Sequence, residues 1–101
     1  CAETYNKLGI CLNKLGKHKE AITILTKAIG LKLDFSDAYI NLGIALNQLN
    51  RYEEAITAYN TALEIKPNSA EVFNNLAIIN TELKDHKEAI LNYILSEYSV
   101  E

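Results

Sequence analysis

A chain of 101 residues, 49% apolar and 23% charged, has the composition of an ordinary globular domain, and at this length it buries only about 60 to 70% of its unfolded surface. Ten basic residues against thirteen acidic ones leave a net charge of -3, with the lysines scattered instead of lining one face, which argues against nucleic acid as a partner. No apolar run approaches the roughly 18 residues of a membrane span, and two cysteines ten apart make no disulfide framework, so neither a membrane nor a bridge is expected.

From the N-terminus, Tyr5, Leu8, Cys11, Leu12 and Leu15 recur at steps of three and four, the stripe of an amphipathic helix. Ala21, Ile22, Leu25, Ala28 and Ile29 draw a second stripe, predicting a helix from about His18 to Leu31. Cys11 aligns with Ala45 and Ile79 further on and is expected to fill space against the partner helix. Cys1 stands where an initiator Met belongs, so the chain is expected to be a piece of a longer protein; a lipidated N-terminal Cys is the alternative, and the compartment stays open, with the cytoplasm the first expectation.

The same pattern then recurs. Tyr5, Tyr39 and Phe73 lie 34 residues apart, as do Leu8, Leu42 and Leu76, and Ala21, Ala55 and Ala89, giving units at 2–35, 36–69 and 70–101. Each unit reads as an antiparallel helix pair. Gly16, Asn50 and Lys84 follow Leu15, Leu49 and Leu83, and Gly and Asn are the residues that enter the left-handed conformation ending a helix. A turn is therefore expected in all three units, more strained at Lys84. Small residues at Gly9, Gly43 and Ala77 let the paired helices approach closely.

Glu20, Glu54 and Glu88 mark the starts of the second helices, and Asp85 three before Glu88 forms a capping box. Pro67-Asn68-Ser69 closes the middle unit, Ser69 serving as the next cap. Leu33 replaces that Pro in the first unit, so its second helix is expected to run on or fray. At the end of the chain Ile94, Leu95, Tyr98 and Val100 lack a following helix. Continuation of the chain, or end-to-end association through Ile94, Leu95 and Tyr98, is expected there.

In the middle unit Tyr39, Leu42-Gly43, Leu46, Ala55, Tyr59, Ala62 and Pro67 match the tetratricopeptide pattern place by place, and the chain resembles a tetratricopeptide-repeat (TPR) array from residue 2 to 101. The resemblance implies an all-α, right-handed superhelix of three antiparallel helix pairs that acts as a protein-interaction scaffold without a cofactor. By the same resemblance the first helices line a concave face. It carries an acidic row, Glu3, Asp37 and Glu71, and an apolar row, Ile10, Ile44 and Ile78. Between them stand Asn6 and Lys7, Ile40 and Asn41, and Asn74 and Asn75, with Asn13, Asn47 and Gln48 further along.

Asn offers both a donor and an acceptor, so a column of amides can hold an extended backbone while the Ile row takes apolar side chains. An acidic residue in a helix's first turn also stabilises the helix dipole with no ligand at all, and that reading of the acidic row stands beside the first. DAYINLG at 37–43 resembles repeats of O-linked N-acetylglucosamine transferases, whose asparagine ladder would continue at Asn41 and Asn75. The carboxylate clamp known in other TPR domains would fall on Asn6, Ile10, Asn41, Glu71 and Asn75. Lacking its cations, it implies that heat-shock chaperone tails are not partners.

No nucleophile with a base, phosphate loop or metal cluster is legible. His18 and His86 occupy one repeat place where the middle unit has Tyr52, so both read as structural. The expectation is a non-enzymatic scaffold gripping a peptide or helix of a partner; the alternatives are a structural segment of a larger superhelix, or the substrate-presenting arm of an enzyme.

Overall fold

The computed structural model describes residues 1–98. Five helices follow in order: α1 (Ala2–Lys14), α2 (His18–Leu31), α3 (Ser36–Gln48), α4 (Tyr52–Ile65) and α5 (Ala70–Tyr98). The described residues form no strand, and the molecule is elongated, 63 × 28 × 19 Å. It is an all-α solenoid.

Two helix pairs close as their sequences dictate. Gly16 and Asn50 carry φ of +79° and +62°, a region costly for most side chains, and Lys17 and Arg51 then donate to the carbonyls of Leu12 and Leu46 at 2.8 and 2.9 Å. Those bonds satisfy the last carbonyls of α1 and α3 and reverse the chain. The paired helices then meet at glycine. A Cβ on Gly9 would overlap the Leu25 side chain, and one on Gly43 would sit 2.6 Å from the Tyr59 ring. Leu25 and Tyr59 are therefore fully buried, with Ala21, Ala28, Ala55 and Ala62 beside them. Burial of an aliphatic or aromatic side chain of this size contributes about 1.5 to 3 kcal/mol.

Helix α2 neither runs on nor frays for want of Pro. It stops at Leu31 as α4 stops at Ile65, with Lys32 and Lys66 both extended. Phe35 explains the stop: it is buried with Ala2, Ala28 and Ala38, Lys32 lies over its ring at 4.8 Å, and its amide donates to the Lys32 carbonyl. Drawing Phe35 into that cluster takes the backbone off the helical path. Ser69 caps α5 as expected, its hydroxyl accepting from the Val72 amide at 3.4 Å.

The third unit departs from the expected hairpin. Residues 70–98 are one helix of 29 residues, with no turn at Lys84 and no capping box at Asp85. Lys is a good helix former and has no access to the left-handed region at low cost, so the position that reverses the chain in the first two units propagates the helix here. A Lys84–Glu88 pair at 3.9 Å lies across the place where the turn was expected.

Only the N-terminal half of α5 is held. Val72 and Ile79 are fully buried, and Leu76 and Leu83 pack on the cluster around Tyr59. Beyond it, Ile90, Leu91, Tyr93, Ile94 and Leu95 are 45 to 62% exposed. The Tyr98 side chain and Val100, named with them from the sequence, lie outside the described residues.

Cys11 is also corrected. Its counterparts Ala45 and Ile79 are buried against α2 and α4, whereas Cys11 faces outward from α1, where neither helix reaches it. Both cysteines are free and exposed.

Candidate functional site

Two adjoining hollows lie along α1, α3 and the start of α5. The larger, about 510 Å³, lies between α1 and α3 and is walled by Ile10, Asn13, Lys14, Gly16, His18, Asn41, Ile44 and Gln48. The smaller, about 230 Å³, is bounded by Asn6, Ile10, Asp37, Ile40, Asn41 and Glu71. Ile10 and Asn41 belong to both, so the hollows form one groove. Its ends differ in charge: Lys14 and His18 stand at one, Asp37 and Glu71 at the other.

A polar chain fixes the larger hollow's wall. Asn41 donates from Nδ2 to Asn6 Oδ1 at 2.9 Å, Asn13 donates from Nδ2 to the Asn41 carbonyl at 3.1 Å, and Asn13 Oδ1 meets His18 Nδ1 at 3.1 Å. Asn6 is 8% exposed and Asn41 half-buried, and these two amides, expected to grip a ligand's backbone, are joined to each other. Repeat spacing fixes which residues share a face, but it does not show that a side chain from one unit will reach that of the next. Asn41 keeps its Oδ1 and one N–H for a ligand.

Of the expected residues, Asn6, Ile10, Asn13, Asp37, Ile40, Asn41, Ile44, Gln48 and Glu71 line the groove. Lys7, Asn74 and Ile78 are exposed and Asn75 is half-buried, and none of the four lines either hollow. Asn47 is half-buried, its Oδ1 enclosed without a hydrogen-bond partner. The reason lies five residues on. His18 supports Asn13, but Tyr52 in the equivalent place turns its hydroxyl to Asn50 Oδ1 at 3.0 Å and to His86 at 3.1 Å. Since the Tyr52 proton goes to Asn50, His86 Nε2 is the donor to the Tyr52 oxygen.

Lys14 and His18 were missed as groove residues. Lys14 occupies the repeat place of Gln48, which was singled out, and that equivalence was the signal. Glu3 is exposed and pairs with Lys32 at 3.5 Å; its own backbone amide, with help from Lys32, holds its carboxyl below the usual range. Among the described residues no group of three or more His, Cys, Asp and Glu could hold a metal ion, and no helix is long and apolar enough to cross a membrane.

Two family models match the chain, one described as tetratricopeptide repeat over residues 2–35 and one as TPR repeat over 45–84. The chain belongs to the tetratricopeptide-repeat family, and it is an interaction scaffold of that class. A comparison with curated protein sequences gives no match.

Among solved structures it is similar to the first TPR domain of Spaghetti (RPAP3) bound to the HSP90 peptide SRMEEVD. That match has 27% identity and a TM-score of 0.80, covering 83% of this chain and 67% of that one. It is also similar to the second TPR domain of human RPAP3 in complex with the HSP70 peptide SGPTIEEVD, with 26% identity and a TM-score of 0.76, covering 78% and 66%. The Sgt2 TPR domain from Aspergillus fumigatus, at 19% identity and a TM-score of 0.81 over 87% and 60%, shares the fold. The chain thus spans about two thirds or less of these domains' length. None of these matches is a glycosyltransferase.

The exclusion of chaperone tails is overturned by the two RPAP3 domains, each solved with a tail peptide ending in EEVD. That exclusion weighed charge at five aligned places alone. Asn6, one of them, is buried against Asn41, while Lys14 and His18 at other places line the groove.

Proposed function

We propose that the groove between α1 and α3 binds an extended, acidic peptide segment of a partner protein, with a chaperone tail ending in EEVD as its first ligand. The observation that carries this is the larger hollow: an apolar floor of Ile10 and Ile44 flanked by the donors Asn13, Lys14, His18 and Gln48. Acidic side chains or a terminal carboxylate meet Lys14 and His18, while a basic residue further back in the peptide meets Asp37 and Glu71. The sequence SRMEEVD has that polarity, Arg preceding the acidic end. The amides of Asn41 and Gln48 hold the peptide backbone between them.

The test is a fluorescence-anisotropy titration of labelled SRMEEVD, beside the same peptide with its two Glu changed to Gln. Wild-type protein should prefer the acidic peptide, and Ile44→Lys, which fills the floor, should lower affinity about tenfold or more. Lys14→Glu should reverse the preference. Equal affinity for the two peptides, or full binding by Ile44→Lys, contradicts the proposal.

A further inference from the structure

A second surface lies outside the groove, on α5. Val72, Leu76, Ile79, Leu83, His86, Ile90, Tyr93 and Glu97 alternate at steps of four and three, so they form one seam along a straight helix. The structure covers only its first part. Val72 and Ile79 are fully buried, Leu76 and Leu83 half-buried, and His86 meets Tyr52 at the start of α4, with ring centroids 5.4 Å apart. Past that point α4 has ended, and the same seam continues with Ile90 60% and Tyr93 62% exposed. His86, Ala89, Ile90, Tyr93 and Ile94 surround an open hollow of about 370 Å³ there.

We propose that this half of α5 packs antiparallel against the same half of a second copy, about a two-fold axis between Ile90 and Tyr93. The charges select that occupant and orientation. Glu97 ends the apolar seam with an exposed carboxylate, and Lys87 flanks its other end. Pairing Ile90 of each copy with Tyr93 of the other brings Glu97 opposite His86 and next to Lys87, twice by symmetry. A parallel pair would instead place Glu97 against Glu97 and Lys87 against Lys87.

The antiparallel arrangement also sets the C-terminal end of each α5 beside Arg51 and the N-terminus of the other copy's α4, so the helix dipoles agree in sign. Each seam then continues without a break from its own α4 to the other copy's α5. The groove on α1 and α3 stays open in both copies, so the surface acts independently of the proposed peptide site and would present two grooves per assembly.

The test is sedimentation equilibrium of the whole chain over a dilution series. A monomer–dimer equilibrium is expected. Ile90→Glu with Tyr93→Glu should leave a monomer at every concentration without altering the circular-dichroism signature of α1–α4 unfolding. Lys87→Glu should weaken association about tenfold, and adding Glu97→Lys should restore it. A monomer at the highest concentration reached overturns the proposal, as does growth beyond the dimer or failure of the double charge exchange to rescue. With Cys1→Ser and Cys11→Ser as background, cysteines replacing Ile90 and Tyr93 should cross-link between chains; a cross-link confined to one chain also overturns it.

Discussion

The middle unit and the third carry the same helix-forming pattern, and one residue position separates their fates. In the middle unit Asn50 takes a positive φ, α3 and α4 fold together, and Tyr59 is buried over Gly43. In the third, Lys84 continues the helix, and Tyr93, the counterpart of Tyr59, is 62% exposed. The local backbone preference thus decides whether a unit's second helix finds its first. It decides burial with it, because a helix that does not turn cannot cover the helix before it.

The largest expected difference is between those two tyrosines. Tyr59→Ala should cost about 3 to 5 kcal/mol by removing the centre of the middle pair. Tyr93→Ala, measured by denaturant unfolding at a dilution where the chain is monomeric, should change stability by less than about 0.5 kcal/mol. Comparable losses would mean that Tyr93 is covered in the monomer and that α5 is not straight.

Next come the amides. Asn41→Ala should cost about 1 to 3 kcal/mol, since it leaves the buried Asn6 carbonyl oxygen without its donor. Asn75→Ala, outside both hollows, should stay within about 0.5 kcal/mol in chemical denaturation. Equal effects would show that the Asn41–Asn6 bond contributes nothing.

Transplanting the turn sharpens the comparison without changing composition much. Lys84→Asn with Asp85→Arg gives the third unit the Asn50-Arg51 pair, which should let α5 fold back. Small-angle scattering at monomeric dilution should then give a radius of gyration below the 16.3 Å of the straight form. An unchanged value would mean that packing, and not the turn residue, keeps α5 extended.

The smallest effect is in pH. Burial, with the nearby carboxylates of Glu71 and Glu82 adding to it, pushes the Tyr59 hydroxyl from 10.0 up to about 12. A folded-state pKa raised above the unfolded one favours the neutral phenol in the folded protein. This contribution is present in full below pH 10.0 and is lost as pH rises from there through about 12. Tyr59→Phe should flatten that limb of the stability curve.

Much of this was readable from residues. The glycines at 9 and 43 and the turns at Gly16 and Asn50 follow from local chemistry, and each has its counterpart in the structure. The third turn was placed by analogy with the other two, although its own residue, Lys84, argued for a helix. The groove was half legible: the tetratricopeptide resemblance put Ile10, Ile44 and Asn41 on one face. The bond from Asn41 to Asn6 depends on side-chain reach between units, and the place of Lys14 and His18 depends on how α1 meets α3; periodicity fixes neither.

The straightness of α5 is tested most directly by a distance within one molecule. Spin labels at Glu71 and Glu97, in the cysteine-free background and diluted with unlabelled protein, lie 26 residues apart on α5, roughly 40 Å at 1.5 Å per residue. A distance near that value is the expected result. A distance of about 10 to 15 Å, the separation of paired helices, would show a closed third unit and contradict the account.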